Sequence, residues 1–194
     1  MSAKNIRSMR TFLFVAVVVA AFLFLTGMFF AQPAPKQSNT SMKTSDPVMT
    51  GDKTFARNAA QGGMAEVKLG RLAEEKGANQ DVKNFGKRMV EDHSAANEKL
   101  KGVASKEGIT LPTTLSRQDQ MTYDHLSKLS GDAFDRAYAK DMVQDHQQDI
   151  AAFKTEARSG KNSSIKEFAS DTLPTLEEHL KLAREMETHV SGGQ

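Results

Sequence analysis

The chain has 194 residues, 26 basic and 24 acidic side chains, five histidines and no cysteine. The missing cysteines exclude disulfides, thiolate metal sites, cysteine nucleophiles and a lipid-modified N-terminal cysteine. The first 51 residues hold five of the basic residues and one acidic residue, so the rest carries 21 basic against 23 acidic side chains, interspersed at helical spacing; nucleic acid is not an expected partner of such a surface.

In chain order, Lys4, Arg7 and Arg10 precede an unbroken apolar run from Phe12 to Phe30. At 1.5 Å per residue this run nearly matches a ~30 Å hydrocarbon layer. It ends Met28-Phe29-Phe30-Ala31-Gln32-Pro33, with bulky residues where a cleavage site needs small ones. Residues 1–31 therefore read as a signal anchor in preference to a cleaved signal peptide, with the membrane as partner. Its basic flank stays in the cytoplasm, which puts the following domain in the periplasm or outside the cell, secreted if the segment is cleaved. Residues 32–51, rich in Pro, Ser, Thr, Lys and Gln, read as a flexible linker.

From Asp52 onward apolar residues recur at spacings of three and four, which predicts an all-α domain over 52–190. Asp52, Asn79, Asp132 and Ser163 are candidate caps for four long helices, closed near Gly77, Gly108, Gly160 and Val190. The short junctions at 77–79 and 160–163 predict two antiparallel hairpins. Residues 108–131 are long enough to run the height of a bundle and hold a short helix from about Ser116 to Leu129, which predicts a crossover between the hairpins. The segment from Phe85 to His93 recurs 53 residues later from Tyr138 to His146, with Lys, Met, Val, Asp and His coinciding; a duplication is the favoured explanation. Gly62-Gly63 in mid-helix calls for close helix approach or a local irregularity beside Glu66, close packing being favoured, and Pro174 should kink the last helix.

Each long helix turns one metal-capable side chain toward the core. The second helix reads Val82, Phe85, Met89, His93, Leu100; the third Phe134, Tyr138, Met142, His146, Ile150; the fourth Ile165, Ala169, Leu176, His179, Ala183; the first places Glu66 between Ala59 and Leu69. Counted from the hairpin turns at 1.5 Å per residue, all four lie near mid-height, within about one turn of each other. Burying three imidazoles and a carboxylate without partners costs several kcal/mol each, so they should be paired, hydrated or metal-bound. Neutral imidazole and carboxylate suit Zn, Fe, Mn or Cu. Asp92, Asp145 and Glu178 each precede a histidine and are candidates for further ligands or for acceptors that orient the rings. His125 and His189 read as surface residues, and the methionines at 64, 89, 142 and 186 as core fillers. No phosphate loop, nucleophile elbow or Ser-His-Asp signature is present, so an enzyme acting on an organic substrate is the least supported reading.

Gly62-Gly63-Met64-Ala65-Glu66, Met89 to His93 with Asn97 and Leu100, Phe134 to Tyr138 leading to Met142 through His146, and Leu173-Pro174-Thr175-Leu176-Glu177-Glu178-His179-Leu180 together resemble a bacterial family known as domain of unknown function 4142, over about residues 53 to 188. The resemblance implies a ferritin-like four-helix bundle in exported or membrane-anchored proteins and carries no activity. Val90, Val143 and Leu176 stand where a di-iron Glu-x-x-His motif would place glutamates, which argues against a di-iron carboxylate site and leaves a histidine-rich mononuclear one. Two functional readings stand side by side: transition-metal binding through Glu66, His93, His146 and His179 for sequestration or redox protection, and a structural or interaction module that meets an envelope protein. The sequence leaves the oligomeric state open.

Overall fold

A computed structural model describes residues 50–192, which form five helices: α1 Thr50–Lys76, α2 Gln80–Lys106, α3 Arg117–Leu126, α4 Gly131–Ser159 and α5 Ser163–Ser191. The apolar segment and nearly all of the linker lie outside the described residues. No helix among the described residues is long and apolar enough to cross a membrane.

α1 packs on α2 and α4 on α5 as two hairpins, joined side by side through α2 with α5 and α1 with α4. The direction of each helix follows from two buried carboxylates. Asp135, near the start of α4, accepts hydrogen bonds from the backbone N–H groups of Ala78 (3.0 Å) and Asn79 (2.7 Å) in the α1–α2 turn. Asp52, near the start of α1, accepts from Lys161 and Asn162 in the α4–α5 turn, both at 3.0 Å. Each hairpin thus caps the turn of the other, α1 runs antiparallel to α4, and the 107–130 connection must climb from one end of the bundle to the other. It does so along α1, where the Arg57 guanidinium donates to the Thr110 carbonyl (2.8 Å) and Ser116 with Asp119 forms a reciprocal capping box at the start of α3.

The caps also revise the expected helix starts. Asn79 caps α2 as expected, accepting from Asp81 N at 2.7 Å. Asp52 instead lies inside α1, where its carboxylate is used across the bundle; α4 begins after Ser130, with Gly131 at φ +58°; and Asn162, one residue before Ser163, caps α5 by accepting from Ile165 N. The carboxylates of Asp52 and Asp135, the turn glycines Gly77 and Gly160, and the caps Asn79 and Asn162 all repeat at an offset of 83 residues. The relation between the hairpins is therefore α1 with α4 and α2 with α5. The 53-residue resemblance of α2 to α4 joins helices that are not equivalent under it.

The glycine pair has two roles. A Cβ on Gly63 would run into the Asn97 side chain of α2, whereas Gly62 has open space around it. Closer approach occurs one level on, where the carbonyls of Gly70 and Gly86 face each other's Cα, so that α1 and α2 nearly touch backbone to backbone. Pro174 sits exposed within α5, which continues to Ser191.

The apolar interior is not one cluster but two. One gathers Leu69, Leu72, Val82, Phe85, Met89, Phe134, Tyr138, Met142 and Met186. The other gathers Ala56, Ala60, Leu100, Ile150, Phe153, Ile165, Phe168 and Leu176. Between them, on every long helix, stands one of the polar residues singled out by periodicity.

Candidate metal centre

Glu66, His93, His146 and His179 are all buried, at 1%, 7%, 0% and 0% exposure. Each occupies the core stripe of its helix at the level where the two apolar clusters meet, so the phase and height expected from the sequence are those observed. The three imidazoles converge: His93, His146 and His179 each offer a ring nitrogen, and these three atoms lie within 4.8 Å of one another. Ring centroids are 5.4 Å apart for His93–His179 and His146–His179 and 5.9 Å for His93–His146. Phe85 closes the side toward the first apolar cluster, with its ring edge-on to His146 and His179.

Hydrogen bonding fixes which nitrogen is open. His146 Nδ1 lies 2.9 Å from the Met142 carbonyl, which can only accept, so Nδ1 carries the proton and Nε2 keeps its lone pair. His179 Nε2 lies 2.8 Å from Asp92 Oδ2 and donates to that carboxylate, leaving Nδ1 as the lone-pair nitrogen. Those two open nitrogens, with His93 Nε2, are buried without a hydrogen-bond partner among the described residues. Three unpartnered ring nitrogens in one buried spot cost of order 1–3 kcal/mol each. In His146 and His179 the same pattern is what a metal ion requires of imidazoles: the outer nitrogen anchored, the inner one bare.

Electrostatics keep these rings neutral. Burial, reinforced by the neighbouring imidazoles, holds His93 well below the usual histidine range. Burial and then His179 lower His146 to about 4. Burial also lowers His179, although Asp92 beside it pulls the other way.

Glu66 belongs to a different group from the one expected. Its carboxylate lies within 4.8 Å of ligand atoms of Asp145 and His146, and not in the group with His93 and His179. His146 is the member common to both. Burial, then the Asp145 carboxylate, pushes Glu66 well above the usual carboxylate range. Asp145, half-buried on α4, thus turns toward α1, while Asp92 turns toward α5 rather than orienting its own neighbour His93. Glu178, also half-buried, enters neither group. His125 and His189 are exposed, and His189 pairs with Asp81 at 2.9 Å.

Some participants were not singled out from the sequence. Tyr138, fully buried, leaves its hydroxyl without a partner, and burial followed by Glu66 raises its pKa. Asp141 and Asp149 on α4 are pushed up by burial and by Asp145 to about 6 and about 8. Their spacing of four from Asp145, at 141, 145 and 149, is the signal that was available: an acidic stripe one helical turn apart along α4.

Residues 34–186 match the family described as domain of unknown function 4142 (DUF4142). The chain belongs to that family. No curated protein matches this DUF4142 chain significantly. Among solved structures it is similar to the crystal structure of a DUF305 fragment from Deinococcus radiodurans, at 14% identity and a TM-score of 0.64, with 75% of this chain and 99% of that one covered. At that identity the likeness concerns the helical fold alone.

Proposed function

We propose that this DUF4142 protein is an extracytoplasmic, membrane-tethered ferritin-like bundle that binds a transition-metal ion through His93, His146 and His179, in sequestration or redox protection. The observation that carries this reading is the convergence of three buried histidines that bring one ring nitrogen apiece within 4.8 Å of one another, each ring also holding a nitrogen without a partner among the described residues. A nitrogen-only donor set suits Zn, Cu or Fe. Tetrahedral coordination at ~2.0–2.1 Å brings donor nitrogens to about 3.4 Å of each other, so the rings would close in modestly around an ion. Asp92 and the Met142 carbonyl would hold two of the three rings in the ligating tautomer, and Phe85 would limit water on one side. Bound there, the ion would supply a Lewis-acidic or redox centre with a coordination position that the three rings leave open. The basic flank and apolar run of residues 1–31 support the tether and the export.

The test is elemental analysis of the chain purified without a metal-binding tag, with melting curves in chelator and in added Zn, Cu, Fe or Mn. Near-stoichiometric metal, a chelator-sensitive melt, and loss of both in His179→Gln are expected. Absence of metal together with no stabilisation by any of the four ions sinks the metal reading and leaves the interaction module.

A further inference from the structure

Residues of α1, α3 and α4 line a cavity of about 270 Å³. Glu66, Asp119, Asp141 and Asp145 line it together with the amides of Gln144 and Gln148. Gly62 also faces it, and since nothing lies within 4 Å of where a Cβ would stand, the missing side chain helps keep the space open. Among the described residues no basic side chain lines the cavity, and none of these four carboxylates forms an ion pair. Asp119 is engaged in the capping box of α3. Glu66 is 1% exposed and reaches the cavity beside Asp145, and its Oε2 has no partner among the described residues.

We propose that Glu66 and Asp145, with the open nitrogen of His146, form a second cation site, distinct from the histidine site in being rich in oxygen. Their ligand atoms lie within 4.8 Å of one another. Two carboxylates, nearby amide oxygens and room for retained water suit a hard divalent ion of the Mn2+ kind, whereas the three imidazoles suit a softer one. Asp141, half-buried and one turn from Asp145, lines the same cavity, and its carboxylate favours cation capture. His146 has only one nitrogen free of the Met142 carbonyl. It can therefore complete either site, and an ion in the oxygen site is placed one ligand away from the nitrogen site. The inference rests on carboxylate geometry and stands whether or not the histidine site fills.

The experiment titrates Mn2+ into the full chain in detergent and reads free Mn2+ by electron paramagnetic resonance, with Zn2+ titrated in parallel. Glu66→Gln and Asp145→Asn should each weaken Mn2+ binding about tenfold or more by removing a charged ligand, while His93→Gln, which touches only the histidine group, should change it less than about threefold. Zn2+ binding should respond in the opposite order. Far-UV circular dichroism checks that each variant is folded; Asp145, being half-buried, provides the variant if Glu66→Gln does not fold. Absence of Mn2+ binding by the wild type, Mn2+ affinity unchanged in Glu66→Gln and Asp145→Asn, or an equal loss in His93→Gln would each overturn the second site. The Zn2+ arm reports on the histidine site independently.

Discussion

Asp92 on α2 and His179 on α5 are joined by a 2.8 Å hydrogen bond across the bundle, and this bond decides which nitrogen of His179 faces the other two imidazoles. Arg88, one turn earlier on α2, also approaches the same carboxylate oxygen at 3.4 Å and steadies it. Asp92 is thus a positioning residue for a ring it does not neighbour in sequence. Asp92→Asn is expected to lower Zn2+ affinity by about 10–100-fold without abolishing it. Competition titration against a chromophoric chelator measures this, and an affinity equal to wild type would remove Asp92 from the centre.

The depressed imidazole pKa of His146 makes a signed prediction for the metal-free protein. The unfolded chain takes up a proton near 6.5 and the folded chain only near 4. Between those values the unfolded state binds more protons, so this group makes stability fall as pH falls. Asp141, raised from 3.8 to about 6, acts in the opposite sense, since its folded form holds the extra proton and stability is lost as pH rises through that window. The two overlap in the wild type, and a variant separates them. His146→Gln should gain on wild type by on the order of 2–3 kcal/mol between pH 7 and pH 4. Urea melts of both proteins at the two pH values check it; parallel slopes would contradict the buried neutral imidazole.

The same depression bears on metal retention. Protons compete with metal for an imidazole lone pair once the pH falls below the ring's ordinary pKa. The buried His146, lowered to about 4, should keep its lone pair well below that. Zn2+ bound at the centre is therefore expected to persist to about pH 5, read by equilibrium dialysis across pH 7 to 4. Loss already centred near pH 6.5 would contradict the buried, neutral His146 as a ligand.

The reciprocal carboxylate caps are expected to matter more than their place at helix ends suggests. Asp135 is 2% exposed and serves two backbone N–H groups of the opposite hairpin. Asp135→Ala should cost about 2–3 kcal/mol, since charge-assisted bonds are lost and donors are left unsatisfied. For a domain of this size that lowers Tm by roughly 5–10 °C. Asp135→Asn, which keeps one acceptor, should recover part of it. A Tm drop below 2 °C in Asp135→Ala would show that water replaces the carboxylate freely.

Three glycines on α1 and α2 should respond to alanine with different signs. Gly62→Ala adds a methyl in open space and gains helix propensity, stabilising by about 0.5–1 kcal/mol. Gly86→Ala pushes a Cβ into the Gly70 carbonyl and the Ala73 side chain and should cost about 1–3 kcal/mol. Gly63→Ala must displace the Asn97 amide and should fall between the two. Thermal melts of the three variants give the order directly.

Much of this protein is set by local sequence. The 3.6-residue recurrence of apolar side chains, the short glycine-bearing junctions and the long 108–131 segment specify four long helices in two hairpins with a crossover, because helix phase and connection length are properties of contiguous residues. The same phase places Glu66, His93, His146 and His179 inside, and counting residues from the turns places them at one level. What lies between helices was beyond such counting. Each residue turns about 100° round its helix, so the sequence leaves Asp92, Asp145 and Glu178 alike beside their histidines. Only the relative rotation of packed helices sends Asp92 to His179 and Asp145 to Glu66 and leaves Glu178 outside. The same holds for Asp52, which looks like a local cap and instead holds the turn of the opposite hairpin, 109 and 110 residues away. The sequence by itself determined the helices, their inward faces and the level of the polar layer; the tertiary structure alone decided the division of that layer into a three-histidine group and a Glu66–Asp145 group that share His146, because a ligand set is a property of distances between helices and not of spacing along them.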